Sequence, residues 1–157
     1  MGVKGLLLGL NKIGWIIAGK CSECINLSVW DRDFATSKAH SETFGTNPIL
    51  APNPFNNDCS DINIFFSLTS TDVELLRLSE PAISFKPGAI WISHSGYSEA
   101  NFDYLNKRGL ESVSAIIPDE PEKIGSDSCT IMAQGKEKTI LKIIGILQMI
   151  GQVNIEK

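Results

Sequence analysis

Gly5-Leu6-Leu7-Leu8-Gly9-Leu10-Asn11-Lys12-Ile13-Gly14 passes from an unbroken apolar run into a polar turn bounded by glycines. A short apolar run of this kind reads as a strand buried on both faces. Gly9 suits the tight turn that follows, and Gly14 lets a helix pack close behind it. The start of that helix offers free N–H groups and a partial positive charge to an anion. Lys12 adds a side-chain charge. The pattern is GxGxxG with Asn11 in place of the middle glycine. An asparagine tolerates unusual backbone angles, but it occupies space where a phosphate would approach. A plain strand-to-helix connection has the same outline.

Outward from this turn, the next strand spans Asn26 to Trp30 and ends on Asp31, 22 residues beyond Gly9. An acidic residue at that spacing is placed to accept hydrogen bonds from a ribose. Arg32 follows, and an arginine there can hold a 2′-phosphate instead. The remaining periodicity predicts helices over 12–24, 34–44, 73–78, 97–108 and 137–150. It predicts strands at 3–9, Ile49-Leu50, 62–68, 89–92, 111–117 and 128–133, with Thr69 to Asp72 capping a helix and Gly109 ending one. Strands alternate with helices along nearly the whole chain. That order predicts an α/β fold, doubly wound on a mostly parallel sheet, the Rossmann arrangement that binds dinucleotides at its strand ends.

The chain of 157 residues has the size of one domain, and residues 1–157 are expected to form it. Its hydrophobic fraction of 43% and charged fraction of 20% are those of a globular protein. A net charge of -4, with no lysine–arginine cluster, argues against nucleic acid as partner. The apolar runs are too short or too interrupted to span a membrane or act as a secretory signal, so a cytoplasmic location is expected. Cys21, Cys24, Cys59 and Cys129 are scattered, as in a reducing compartment. Cys21-Ser22-Glu23-Cys24 falls near a helix end, not at the helix start a redox motif requires. His40 and His94 show no ligand spacing, and no metal is expected. His94 at a strand end is either a base or a hydrogen-bonded structural group. The last helix carries Ile140, Leu141, Ile143, Ile144, Ile146, Leu147, Met149 and Ile150 far around its axis. One sheet needs a single apolar stripe, so a homodimer or a partner domain is expected.

The sequence resembles the N-terminal domain of the β-hydroxyacid dehydrogenases, the group of 3-hydroxyisobutyrate and 6-phosphogluconate dehydrogenases. Residues 5–14 resemble the family's opening G-x-I-G-L-G-x-M-G, and Val29-Trp30-Asp31-Arg32-Asp33 its V-x-N-R-T. Ser60-Asp61-Ile62 resembles A-D-V. Lys86-Pro87-Gly88 and Ile92-Ser93-His94-Ser95 resemble K-P-G and D-x-S-T. Thr130-Ile131-Met132 resembles T-I-M-x-G-G. The pieces keep their order over almost the whole chain. The resemblance implies an oxidoreductase domain that binds NADP or NAD, with NADP favoured by Arg32. It implies cofactor contacts at Gly9, Leu10, Asn11, Lys12, Ile13, Gly14, Asp31, Arg32, Ser67, Leu68 and Ser95.

The departures bear on catalysis. Ser93 and Gly96 replace the aspartate and threonine of D-x-S-T. The family's substrate segment A-P-V-S-G-G falls on Ala115-Ile116-Ile117-Pro118-Asp119-Glu120, where the serine and glycines are gone and two carboxylates stand. The family's general acid/base is a lysine of an all-helical second domain, and no segment here matches that domain. No catalytic residue is therefore assigned. The competing expectations are a domain that works with a partner domain or subunit, a non-catalytic cofactor-sensing or scaffolding module, and a domain that has lost its cofactor.

Overall fold

The computed structural model describes residues 2–79 and 84–156. Eight strands form one sheet in the order β3-β2-β1-β4-β5-β6-β7-β8. The strands are β1 (Lys4–Leu8), β2 (Asn26–Trp30), β3 (Asn47–Pro48), β4 (Ile64–Ser67), β5 (Ile90–Ser93), β6 (Glu111–Ile116), β7 (Thr130–Gln134) and β8 (Gln152–Glu156). The helices are α1 (Lys12–Cys21), α2 (Phe34–Phe44), α3 (Asp72–Arg77), α4 (Glu99–Lys107) and α5 (Glu137–Ile150). Every ladder is parallel except β6–β7. The expected doubly wound, mostly parallel α/β sheet is present.

The two faces of the sheet carry separate cores. Ile17, Ala18 and Cys21 of α1 join Ile140, Ile143, Leu147 and Ile150 of α5 over Leu7, Phe66, Ile92 and Val113. On the other face Val73 and Leu76 of α3 join Phe102 and Leu105 of α4 over Leu8, Phe65 and Trp91. Alternate strand residues feed opposite cores, so the strands read as continuous apolar runs.

Some expectations need correction. The strand placed at Ile49-Leu50 lies at Asn47–Pro48 instead. It is the sheet edge, where the N–H that proline lacks is not needed by a further strand. The helix after Thr69 begins at Asp72, and its N-cap Thr71 makes no side-chain capping bond. Helix α1 ends at Cys21, so Cys24 lies beyond it and is exposed. Strand β8 is an addition: Val153 and Ile155 are half-buried between exposed polar residues, an alternation of period two that the sequence does display. Strand β7 runs antiparallel because only a 3-10 turn, Pro121–Lys123, intervenes after β6, and no helix carries the chain back across. Part of the apolar excess on α5 is taken up within the chain. Ile146 packs against the core shared with α1, while Leu141 is exposed. Among the described residues no helix is long and apolar enough to cross a membrane.

Candidate functional site

The carboxyl ends of β1 and β2 meet at the turn that the sequence singled out. Gly9 adopts a φ of 99°, a left-handed angle that favours glycine. Its amide donates to the Trp30 carbonyl at 2.9 Å, which fastens the turn to the end of β2. Behind it, α1 comes so close that a Cβ on Gly14 would lie 2.0 Å from the Gly9 carbonyl oxygen and 3.1 Å from Cγ of Leu68. Both glycines thus meet the geometric demands of the fingerprint.

Asn11 does more than replace the middle glycine. It is the N-cap of α1, and its Oδ1 accepts from the Gly14 amide at 2.8 Å. The cap takes up one donor at the helix start. The Lys12 and Ile13 amides of the same turn have no acceptor among the described residues. A diphosphate therefore fits this turn with a reduced set of donors.

Asp31 is turned back into the scaffold. Its Oδ2 accepts from the Leu10 amide at 2.8 Å and its Oδ1 from the Asp33 amide at 2.9 Å. Each carboxylate oxygen keeps a lone pair, but the group is fixed by backbone on both sides. Arg32 is exposed and forms no ion pair among the described residues. Lys12 is engaged. Its Nζ lies 2.6 Å from Oε1 of Glu122, and this hydrogen bond holds the lysine above and the glutamate below its ordinary pKa. Glu122 belongs to the connection between β6 and β7. Nothing in the local sequence points to this partner, 110 residues away.

The structure divides the remaining expected contacts. Leu68 sits against Gly9 and Gly14, and its amide donates to the Leu8 carbonyl. Ser67 faces the other core. With Ser95 it lines a cavity of about 140 Å³ between the ends of β4 and β5 and the start of α4. Ser67 donates to Asp72, whose carboxylate is buried. Sequence reasoning treated Asp72 as a helix cap and missed this contact.

His94 is a structural group. Its ring lies parallel to Phe66, and Nδ1 donates to the Ala115 carbonyl at 2.8 Å. That bond fixes the tautomer, so Nε2 carries no proton; this atom is buried and has no partner. Burial pushes the imidazole pKa down to about 4. Asp119 accepts from the Thr130 amide at 2.7 Å, which ties the connection after β6 to the start of β7. Burial pushes the Cys21 thiol up to about 12, the reverse of what an active redox cysteine needs. Among the described residues no group of three or more potential metal ligands assembles.

No model of a known protein family matches the chain, and no curated protein matches it in sequence. Solved structures do match it in fold. An imine reductase from Pseudomonas sp. aligns over 100% of this chain and 57% of its own, with a TM-score of 0.82 at 15% identity. A reductive aminase from Aspergillus terreus, in complex with NADPH and ethyl levulinate, aligns over 99% of this chain and 55% of its own, with a TM-score of 0.80 at 16% identity. An imine reductase variant from Myxococcus stipitatus, in complex with NAD+, gives a TM-score of 0.78 at 16% identity over 99% of this chain and 54% of its own. The chain spans just over half the length of these proteins, and the shared feature is the Rossmann-type fold.

Proposed function

We propose that this chain is the dinucleotide-binding domain of an oxidoreductase related to the β-hydroxyacid dehydrogenases, and that it takes NADP in preference to NAD. The observation that carries the proposal is the closure of α1 onto Gly9 through Gly14, which leaves the Lys12 and Ile13 amides open at the carboxyl end of β1. Those amides and the helix dipole would hold the diphosphate, with Leu10 and Asn11 shaping the turn. Arg32, exposed beside Asp31 and in no ion pair among the described residues, would hold the 2′-phosphate. Leu68 would border the path of the ligand. Ser67 and Ser95 would mark the end toward which the nicotinamide half extends. The fold neighbours solved with NADPH and with NAD+ support the same reading.

The dinucleotide, when bound, supplies or accepts a hydride. The resemblance assigns proton transfer to a lysine of a helical domain, and no segment here matches it. The function proposed for this chain is therefore cofactor binding and presentation, with chemistry completed by groups outside residues 1–157. Association with a second copy or a further domain is part of the proposal. It is supported by the exposed Leu141 on the outer side of α5, and sedimentation as a monomer at all concentrations would refute the second copy. Four free cysteines fit a reducing compartment such as the cytoplasm.

Titration with NADPH and NADH, followed by the fluorescence of Trp15 and Trp30, tests the central reading. Saturable change with NADPH at lower concentration than with NADH is expected. A chain that responds to neither is not a dinucleotide-binding domain.

A further inference from the structure

The cavity at the ends of β4 and β5 has a chemical bias that the dinucleotide reading does not use. Ser67 and Ser93 face each other across the β4–β5 ladder and both line it. The hydroxyl proton of Ser67 is committed to the Asp72 carboxylate at 2.8 Å and the Thr69 carbonyl at 3.0 Å. The proton of Ser93 goes to the Gly96 carbonyl at 2.9 Å. Ser95, 3.1 Å from Ser93, must then be the donor of that pair. Thr69 in turn points its hydroxyl at Asp72, 3.3 Å away. Four hydroxyl groups on the lining therefore have their protons spent on the protein and only lone pairs to offer.

Behind this lining stands an uncompensated charge. Asp72 is 4% exposed, and among the described residues no lysine, arginine or histidine pairs with it. Burial pushes its pKa up, against the downward pull of its hydrogen bonds to Ser67 and Thr69. The cavity lining contains no charged residue, and its depth is apolar and aromatic, with Trp91, Phe102, Leu105 and Val73. Ser70, Ser98 and Asn101 on the α4 side carry donors as well as acceptors; at the strand ends an anion would meet lone pairs and a carboxylate. A cation bearing N–H donors would meet acceptors there, with a buried carboxylate behind them.

We propose that this cavity binds a small protonated amine, its N–H groups held by Ser67, Ser93 and Thr69 in front of Asp72, and its apolar body against Trp91 and Leu105. The cavity shares Ser67 and Ser95 with the nicotinamide end of the dinucleotide reading, but the inference rests on its own hydrogen bonds and does not require that reading.

Propylammonium, propionamide and propionate, of one chain length and different charge, are titrated into the full chain and followed by backbone amide chemical shifts. Saturable shifts confined to residues 67–72 and 91–102 are expected with propylammonium, with weaker ones for propionamide and none for propionate. Asp72→Asn keeps the shape and one acceptor oxygen, which can still take the Ser67 hydroxyl and Thr69 amide bonds, and removes the charge. It is expected to weaken propylammonium about tenfold and to leave propionamide unchanged. Should that variant fail to fold, Ser93→Ala leaves the bonds of Asp72 intact and is expected to weaken propylammonium in the same direction. Equal binding of amine and amide, no response to the substitution that folds, or no saturable shift with propylammonium overturns the proposal. NADPH titration is scored separately, so the two readings fail independently.

Discussion

The carbonyl oxygen of Gly9 occupies the position next to which a side chain on Gly14 would have to begin, at 2.0 Å from the ideal Cβ. The obstacle is backbone, so it cannot swing aside as the tip of a side chain can. Helix α1 and the turn that precedes it are locked at a distance only glycine permits.

Gly14→Ala is accordingly expected to destabilise the fold by about 3 kcal/mol, toward the upper end of overpacking costs. The same variant should bind NADPH poorly, since α1 must retreat from the turn that holds the open amides. Urea unfolding at fixed pH measures the first effect. A variant as stable as the parent would mean that the helix sits less close than described.

Arg32→Ala is expected to weaken NADPH at least about tenfold and to leave NADH almost unchanged, the signature of a lost charge-assisted contact to a 2′-phosphate. Fluorescence titration of both nucleotides gives the ratio. An equal loss for both would place Arg32 away from the 2′ position.

Stability is expected to fall with acid through two histidines. Burial lowers the pKa of His40, which is held by Thr46 and the Trp15 carbonyl, and brings that of His94 to about 4. Both groups bind fewer protons folded than unfolded. Their contribution is therefore complete above the unfolded value near 6.5 and drains away as pH drops through the folded values. For His94 the span corresponds to about 3 kcal/mol between pH 6.5 and 4. Urea midpoints across that range test this, and His94→Phe should flatten the decline. An unchanged slope would show that His94 does not drive it.

Glu122→Gln is expected to leave thermal stability unaltered, because the pair with Lys12 is exposed on both sides, at 70% and 60%. It should nonetheless tighten NADPH by roughly two- to fivefold at low salt, by freeing the Lys12 ammonium and removing a carboxylate near the phosphates. The gain should vanish as salt is raised. Weaker binding would instead mean that Glu122 holds Lys12 in its working position.

Much of this molecule was legible in one dimension. β2, α2 and α5 begin and end where periodicity and capping residues place them. The turn from Gly9 to Gly14 is where the pattern put it, since a glycine with positive φ and a glycine under a packed helix are local demands that leave local marks. The sequence places the edge strand on Ile49-Leu50, where the apolar residues stand, and the sheet places it on Asn47–Pro48, because an edge tolerates proline. The family resemblance groups Ser67, Leu68 and Ser95 on one site. Alternation along β4 sends Ser67 and Leu68 to opposite faces of the sheet, and only the sheet assigns those faces.

What the sequence determined by itself is the α/β architecture and the glycine-bounded turn at the end of β1, because both arise from interactions between residues close along the chain. Tertiary structure alone decided that Asp31 faces the Leu10 amide, that Glu122 reaches Lys12 and that Asp72 lies buried without a cation. Each of those depends on where a side chain points once distant segments pack. Electrostatic and hydrogen-bonding partners follow distance in space, to which spacing in sequence is a poor guide beyond a turn or two of helix.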